Sequence, residues 1–129
     1  MIYVLDTHPI VWFLEGSPLL SNTAKTAMSE VTAELVIPTI ALVEISFLYA
    51  KKRITIDVSI VRQKLLAAGN CSIYPLDEQV ASLTPLSLNI HDAIIVATGL
   101  VYRDVLKRSV ALVTKDGEIT RSGLISTIW

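Results

Sequence analysis

The sequence predicts an α/β fold in which a mostly parallel sheet is covered on both faces by helices. Three observations carry that expectation. Short, wholly apolar runs such as Ile2–Leu5 and Leu35–Ile37 alternate with longer stretches of helical periodicity, the pattern of strands buried on two faces and joined by helical crossovers. The helical stretches begin and end on recognisable capping residues. With 129 residues, 52% of them hydrophobic, residues 1–129 make a single domain, long enough for one substantial core and too short for two.

Taken in order, Ile2–Leu5 is the first buried strand, followed by the turn Asp6-Thr7-His8-Pro9. Ser21 is placed to cap a helix running to about Glu34, and Leu35–Ile37 is the next buried strand. Thr39, directly after Pro38, is placed to cap a helix reaching Ala50. Asp57 opens a helix that stops before Gly69, a suitable residue just past a helix end. Asp77 caps a short helix that ends near Pro85, and Asn89 caps a long one from His91 to about Lys107. Val110–Thr114 is a third buried strand, while Ser72–Pro75 and Ile125–Trp129 carry less of the strand pattern.

Composition narrows the function classes. The chain is 18% charged, below the roughly 25% of an average globular protein, and its mean hydropathy is +0.57. A membrane span needs roughly 20 consecutive apolar residues. The stretch Leu35–Ala50 is broken by Pro38 and Glu44, and Ala93–Tyr102 is too short and contains Gly99. No span is therefore expected, and the apolar surplus is assigned to a subunit or partner interface. A net charge of -1 argues against a generally basic nucleic-acid binder, so any such contact comes from local patches. The single cysteine, Cys71, excludes an intramolecular disulfide and a thiolate metal cluster, and reads as a small apolar filler. Met-Ile-Tyr-Val-Leu-Asp lacks the basic start of a signal peptide, and the cytoplasm is the expected location.

The informative feature is where the carboxylates fall. Asp6 follows the first strand directly, and Asp116 comes at the end of the Val110–Thr114 strand. In open α/β sheets ligands bind beyond the carboxyl ends of the strands. Asp92 lies in the first turn of the long helix, where the helix dipole favours an anion. Glu44 stands among Ile40, Ala41, Leu42, Val43, Ile45, Phe47 and Leu48, with no Lys or Arg three or four residues away. A charge in such surroundings is costly unless paired or bound to a metal. Taken singly, Asp6 and Asp116 also suit turns and Asp92 suits a helix start. Together the four acids favour a shared site for a hard cation, Mg²⁺ or Mn²⁺, of the kind that serves phosphodiester hydrolysis. The hydroxyls of Thr7 and Thr114 are placed to orient a carboxylate or water, or are ordinary strand-end hydroxyls.

Other residues carry weaker signals. Lys51-Lys52-Arg53 is the only basic triplet; it either grips nucleic-acid phosphates or complements a helix C-terminus. Arg103, Lys107 and Arg108 read as an exposed helix face. His8 and His91 flank two of the acids, where a general-base role is conceivable. Trp12, Phe13 and Leu14 are divided between core and interface. Lys115 is the only lysine near the strand ends that would suit a different metal phosphatase.

These motifs resemble those of PIN-domain ribonucleases of the VapC toxin type. The likeness is carried by Ile2-Tyr3-Val4-Leu5-Asp6-Thr7-His8 with Trp12, by Ile37-Pro38-Thr39-Ile40-Ala41-Leu42-Val43-Glu44-Ile45, by His91-Asp92-Ala93-Ile94-Ile95-Val96-Ala97-Thr98, and by Leu112-Val113-Thr114-Lys115-Asp116. No one motif is specific; the ordered set of four, spanning nearly the whole chain, is. The resemblance implies a three-layer α/β/α sandwich with a short parallel sheet. It also implies metal-dependent endoribonuclease activity, with Asp6, Glu44, Asp92 and Asp116 as metal-binding acids. A homodimer and a cognate VapB-like antitoxin that covers the site are implied as partners. One stretch departs from the pattern: Asn89-Ile90-His91-Asp92-Ala93 keeps the final acid but lacks the extra carboxylate and following arginine of many relatives. An RNA-maturation nuclease without an antitoxin and a non-catalytic protein-interaction module are the competing readings.

Overall fold

The structure is a computed structural model that describes residues 1–129. Five strands, β1 (Ile2–Leu5), β2 (Glu34–Pro38), β3 (Cys71–Tyr74), β4 (Val110–Val113) and β5 (Thr127–Ile128), form one sheet in the order β3-β2-β1-β4-β5. Every pairing is parallel, so the expected mostly parallel sheet is wholly so. The register aligns Val4 with Val36 on one side and with Leu112 on the other.

Alternation along the strands divides the core between the two faces. Leu5, Leu35, Ile37 and Val113 face one way, against α1 (Thr7–Glu15), α2 (Asn22–Ser29), α3 (Thr39–Ala50) and α4 (Val58–Lys64). Ile2, Val4, Val36 and Leu112 face the other, against α6 (Ile90–Leu100) and α7 (Gly117–Ser122); α5 (Glu78–Ser82) packs against α6 through Val80 and Ala97. The result is a three-layer α/β/α sandwich. Strands buried on both faces need apolar residues at every position, which is why β1 and β2 read as continuous runs. No helix is long and apolar enough to cross a membrane.

Several caps agree with the sequence. Ser21, Asp57, Asp77 and Asn89 each accept a backbone N–H in the first turn of α2, α4, α5 and α6. The helix after Ser21 is shorter than its expected run to about Glu34: it ends at Ser29, and residues 30–33 turn, with the Ala33 N–H donating to the Glu30 carbonyl, before Glu34 enters the sheet. Thr39 does not cap α3. The cap position is Pro38, and the Thr39 hydroxyl donates instead to the Tyr74 carbonyl at 2.8 Å, tying α3 to the end of β3. The long helix changes to π-helical winding over Val101–Val105.

Two helices lie where the sequence suggested only turns. α1 starts on Asp6 and ends at Gly16, whose φ of 65° closes the helix in the left-handed region. α7 starts on Asp116. Both are capped by an acid that the sequence also puts forward for the functional site.

Candidate active site

In the order β3-β2-β1-β4-β5 the chain crosses to one side of β1 and later returns to the other. The crevice beyond the carboxyl ends of β1 and β4 is thus the topological switch point, where doubly wound folds place ligands. Asp6 follows β1 and Asp116 follows β4 by three residues. A cavity of about 420 Å³ opens there, lined by Asp6, Thr7, Glu44, Asn89, Asp92 and Asp116 among others. The four acids proposed from the sequence share this cavity although they come from four separate segments.

Hydrogen bonds fix three of the four carboxylates, those of Asp6, Glu44 and Asp116. The Thr7 backbone N–H donates to Asp6 Oδ1 at 2.7 Å, and the Thr7 hydroxyl donates to Glu44 Oε1 at 3.0 Å. One buried threonine therefore holds two acids from different elements. Thr114, also buried, donates its hydroxyl to Asp6 Oδ2 at 2.6 Å and accepts the Asp116 N–H at 3.0 Å. Asp116 Oδ1 accepts from the N–H groups of Glu118 and Ile119 at the start of α7. The Asp92 N–H is bonded to Asn89 Oδ1 at 3.4 Å.

Glu44 is less enclosed than its neighbours in sequence implied. Val43 and Phe47 beside it on α3 are exposed, at 44% and 62%, because only Ala41 and Ile45 of that helix are fully buried. Its carboxylate also has company from elsewhere in the chain: His91 Nδ1 lies 3.6 Å from Oε2.

The electrostatics are those of crowded negative charge. Burial and then the charges of Asp116, Asp6, Glu44 and Glu118 push the Asp92 carboxyl up to about 6. Burial also raises the Asp6 carboxyl, against the lowering effect of its bonds from Thr114 and Thr7. One carboxylate oxygen from each of Asp92, Asp116 and Glu118 lies within 4.8 Å of the others. An all-oxygen, anionic donor set of this kind suits a hard divalent cation, whose charge would offset the mutual repulsion. Glu118 is the residue the sequence reading missed. The signal was present in Asp116-Gly117-Glu118: once Asp116 is a helix cap, a residue two positions on falls in the first turn beside it.

The cavity also holds residues of other chemistry. Trp12 packs against the core, as the sequence expects for part of the Trp12-Phe13-Leu14 run, and also lines the cavity, as do His8 and Lys115. Lys51 lines an adjoining groove with Glu44 and His91, whereas Lys52 and Arg53 line neither. Arg103 is engaged by Asp104 and the Leu124 carbonyl, and Arg108 by Glu34. Cys71 is partly buried, and burial pushes its thiol up to about 11, so it stays protonated and unreactive.

Residues 3–123 match the family model described as PIN domain. Similar solved structures include a chain of VapBC2 from Rickettsia felis bound to a DNA fragment from the promoter, with a TM-score of 0.66 and 16% identity, covering 100% of this chain and 99% of that one. A toxin–antitoxin complex from Klebsiella pneumoniae gives a TM-score of 0.66 at 20% identity, covering 98% and 96%. VapBC-1 from nontypeable Haemophilus influenzae gives 0.62 at 18%, covering 99% and 97%. At these identities the likeness is one of fold. No curated protein sequence matches the chain.

Proposed function

The chain belongs to the PIN domain family, and on that footing we propose that it is an endoribonuclease dependent on Mg²⁺ or Mn²⁺, acting as the toxin of a toxin–antitoxin pair. The observation that carries the proposal is the convergence of Asp6, Glu44, Asp92 and Asp116 on one crevice at the sheet's switch point. In this reading the four acids hold the cation, with Glu118 adding a further oxygen beside Asp92 and Asp116. A divalent ion held there would acidify water and would screen charge developing at phosphorus. Thr7 and Thr114 fix the angles of Glu44 and Asp6 through their hydroxyls, so those carboxylates need little reorganisation when the ion and the substrate arrive.

RNA is the proposed substrate and a VapB-like antitoxin the proposed partner. The similar structures described as VapBC and toxin–antitoxin complexes support the latter. So does exposed apolar surface beside the site, with Val43 and Phe47 on α3 and Ile90 at the start of α6. A homodimer would use similar surface. Lys51 is the member of the basic triplet best placed for an RNA phosphate, two helical turns after Glu44 and in the groove they share. The absence of a membrane-crossing helix is compatible with the proposed cytoplasmic setting.

The direct test is incubation of the purified protein with total RNA and transfer RNA in Mn²⁺, in Mg²⁺ and in chelator, alongside Asp6→Asn. Discrete, metal-dependent cleavage that disappears in the variant is expected. Equal background from both proteins, with no metal-dependent stabilisation of the wild type, would sink the assignment.

A further inference from the structure

The carboxylates account for only part of the crevice. His8, Trp12 and Lys115 line it too, and none of the three is used by the proposed cation site. The Trp12 indole stands one helical turn after His8 on α1, with ring centroids 5.3 Å apart and planes inclined by 43°. Its other aromatic neighbour is Trp129, at 5.7 Å and 59°. Both tryptophans pack against the core on the α1 side. Trp12 is nevertheless only partly buried, so a rigidly seated indole presents part of its surface to the cavity. Lys115 Nζ lies 5.7 Å from the centroid of that ring. It is exposed and makes no ion pair, although several acids share its cavity.

An indole cannot ligate a hard cation, and a lysine that passes over nearby carboxylates for an aromatic ring remains free to meet an incoming anion. We propose that Trp12, His8 and Lys115 form a nucleotide-gripping wall. An unpaired base stacks on the Trp12 indole, flanked by His8, and the Lys115 ammonium moves from the ring to the adjoining phosphate. Stacking of this kind accepts any base, because each has a π-face. It requires a base that is not already stacked within a duplex, so the substrate class is single-stranded or looped RNA. This inference rests on the ribonuclease reading and adds to it how the strand is held. Trp12 and Lys115 are substrate-binding residues here, and the carboxylates remain responsible for the chemistry.

The chain contains two tryptophans, so Trp129→Phe leaves Trp12 as the sole indole fluorophore. The test is a titration of the Asp6→Asn, Trp129→Phe protein in Mg²⁺ with a short single-stranded RNA of mixed sequence, and with the same strand annealed to its complement. Saturable quenching by the single strand is expected, with the duplex binding at least about ten-fold more weakly. In the protein with Asp6 intact, Trp12→Leu is expected to raise KM by roughly ten- to a hundred-fold with kcat little changed, while Trp12→Phe recovers most of the loss. Lys115→Met should reduce the salt dependence of binding by about one phosphate contact. Absence of quenching at RNA concentrations that the Trp129→Phe protein cleaves overturns the stack and leaves the nuclease assignment standing. Equal quenching by duplex overturns the selection for single strands. Quenching without cleavage by any metal-loaded protein supports the stack and removes the nuclease assignment instead.

Discussion

The Thr114 hydroxyl donates a 2.6 Å hydrogen bond to Asp6 Oδ2, joining two groups 108 residues apart in the chain at the ends of adjacent parallel strands. The Thr114 hydroxyl oxygen in turn accepts the Asp116 N–H. One buried side chain thus sets the position of two of the acids proposed to hold the cation.

Thr114→Val keeps the shape of the side chain but removes both bonds. A loss of about 1–2 kcal/mol in stability is expected, since a buried acceptor and a backbone donor are left without partners. The Asp6 carboxyl then rises further, because the bond from Thr114 is the largest influence holding it down. Binding of Mg²⁺ or Mn²⁺ should weaken accordingly, and Thr114→Ser should restore it. Chemical denaturation together with metal titration checks all three.

Asp116 has two separable roles. Its side chain caps α7 through the N–H groups of Glu118 and Ile119, and it adds charge to the acid cluster. Asp116→Asn retains a capping oxygen while removing the charge, so stability without metal is expected to hold or rise as metal binding is lost. Asp116→Ala removes the cap as well and should cost about 1 kcal/mol. Thermal unfolding with and without metal distinguishes the two variants.

Glu118→Gln tests the residue that sequence reading overlooked. Its carboxylate lies with those of Asp92 and Asp116, and an amide oxygen is a poorer ligand for a hard cation. Metal affinity is expected to fall about ten-fold, with little change in stability without metal. Isothermal titration with Mn²⁺ measures it; an unchanged affinity would remove Glu118 from the site.

Stability without metal should depend on pH in a direction set by Asp92. Its folded carboxyl titrates at about 6 against an ordinary value of 3.8. Between those values the folded protein holds the proton more tightly than the unfolded chain, so this group's contribution to stability falls as pH rises from about 4 to 6 and then levels off. Asp6 is shifted in the same direction. Asp92→Asn should flatten the profile. Saturating Mg²⁺ should stabilise the wild type most above pH 6, by about 2.7 kcal/mol at a hundred-fold excess over Kd. Melting curves across pH, with and without metal, provide the measurement.

Most of the fold was legible because its signals are local. A strand covered on both faces must be apolar throughout, and Ile2–Leu5 and Leu35–Ile37 carry that in their composition. Ser21, Asp57, Asp77 and Asn89 announce helices because a side-chain oxygen there satisfies a backbone N–H that the helix itself cannot. The misreadings fall where a residue's partner is distant. Thr39 looks like a cap, yet its hydroxyl bonds to Tyr74, 35 residues away. The starts of α1 and α7 read as turns because Asp6 and Asp116 satisfy turn and cap equally well within four residues.

By itself the sequence determined the α/β class and singled out Asp6, Glu44, Asp92 and Asp116 as candidates, since periodicity, capping and the placement of an acid at a strand end or among apolar neighbours are read from the chain locally. Tertiary structure alone decided that β1 and β4 lie side by side, bringing Asp6 to Thr114 and Asp116 into one crevice. It alone brought Glu118 to Asp92 and left one side of Trp12, otherwise packed on the core, open to the same cavity. Strand order and helix docking set those distances. Both follow from how the two apolar faces of the sheet are covered, and no short stretch of sequence encodes that arrangement.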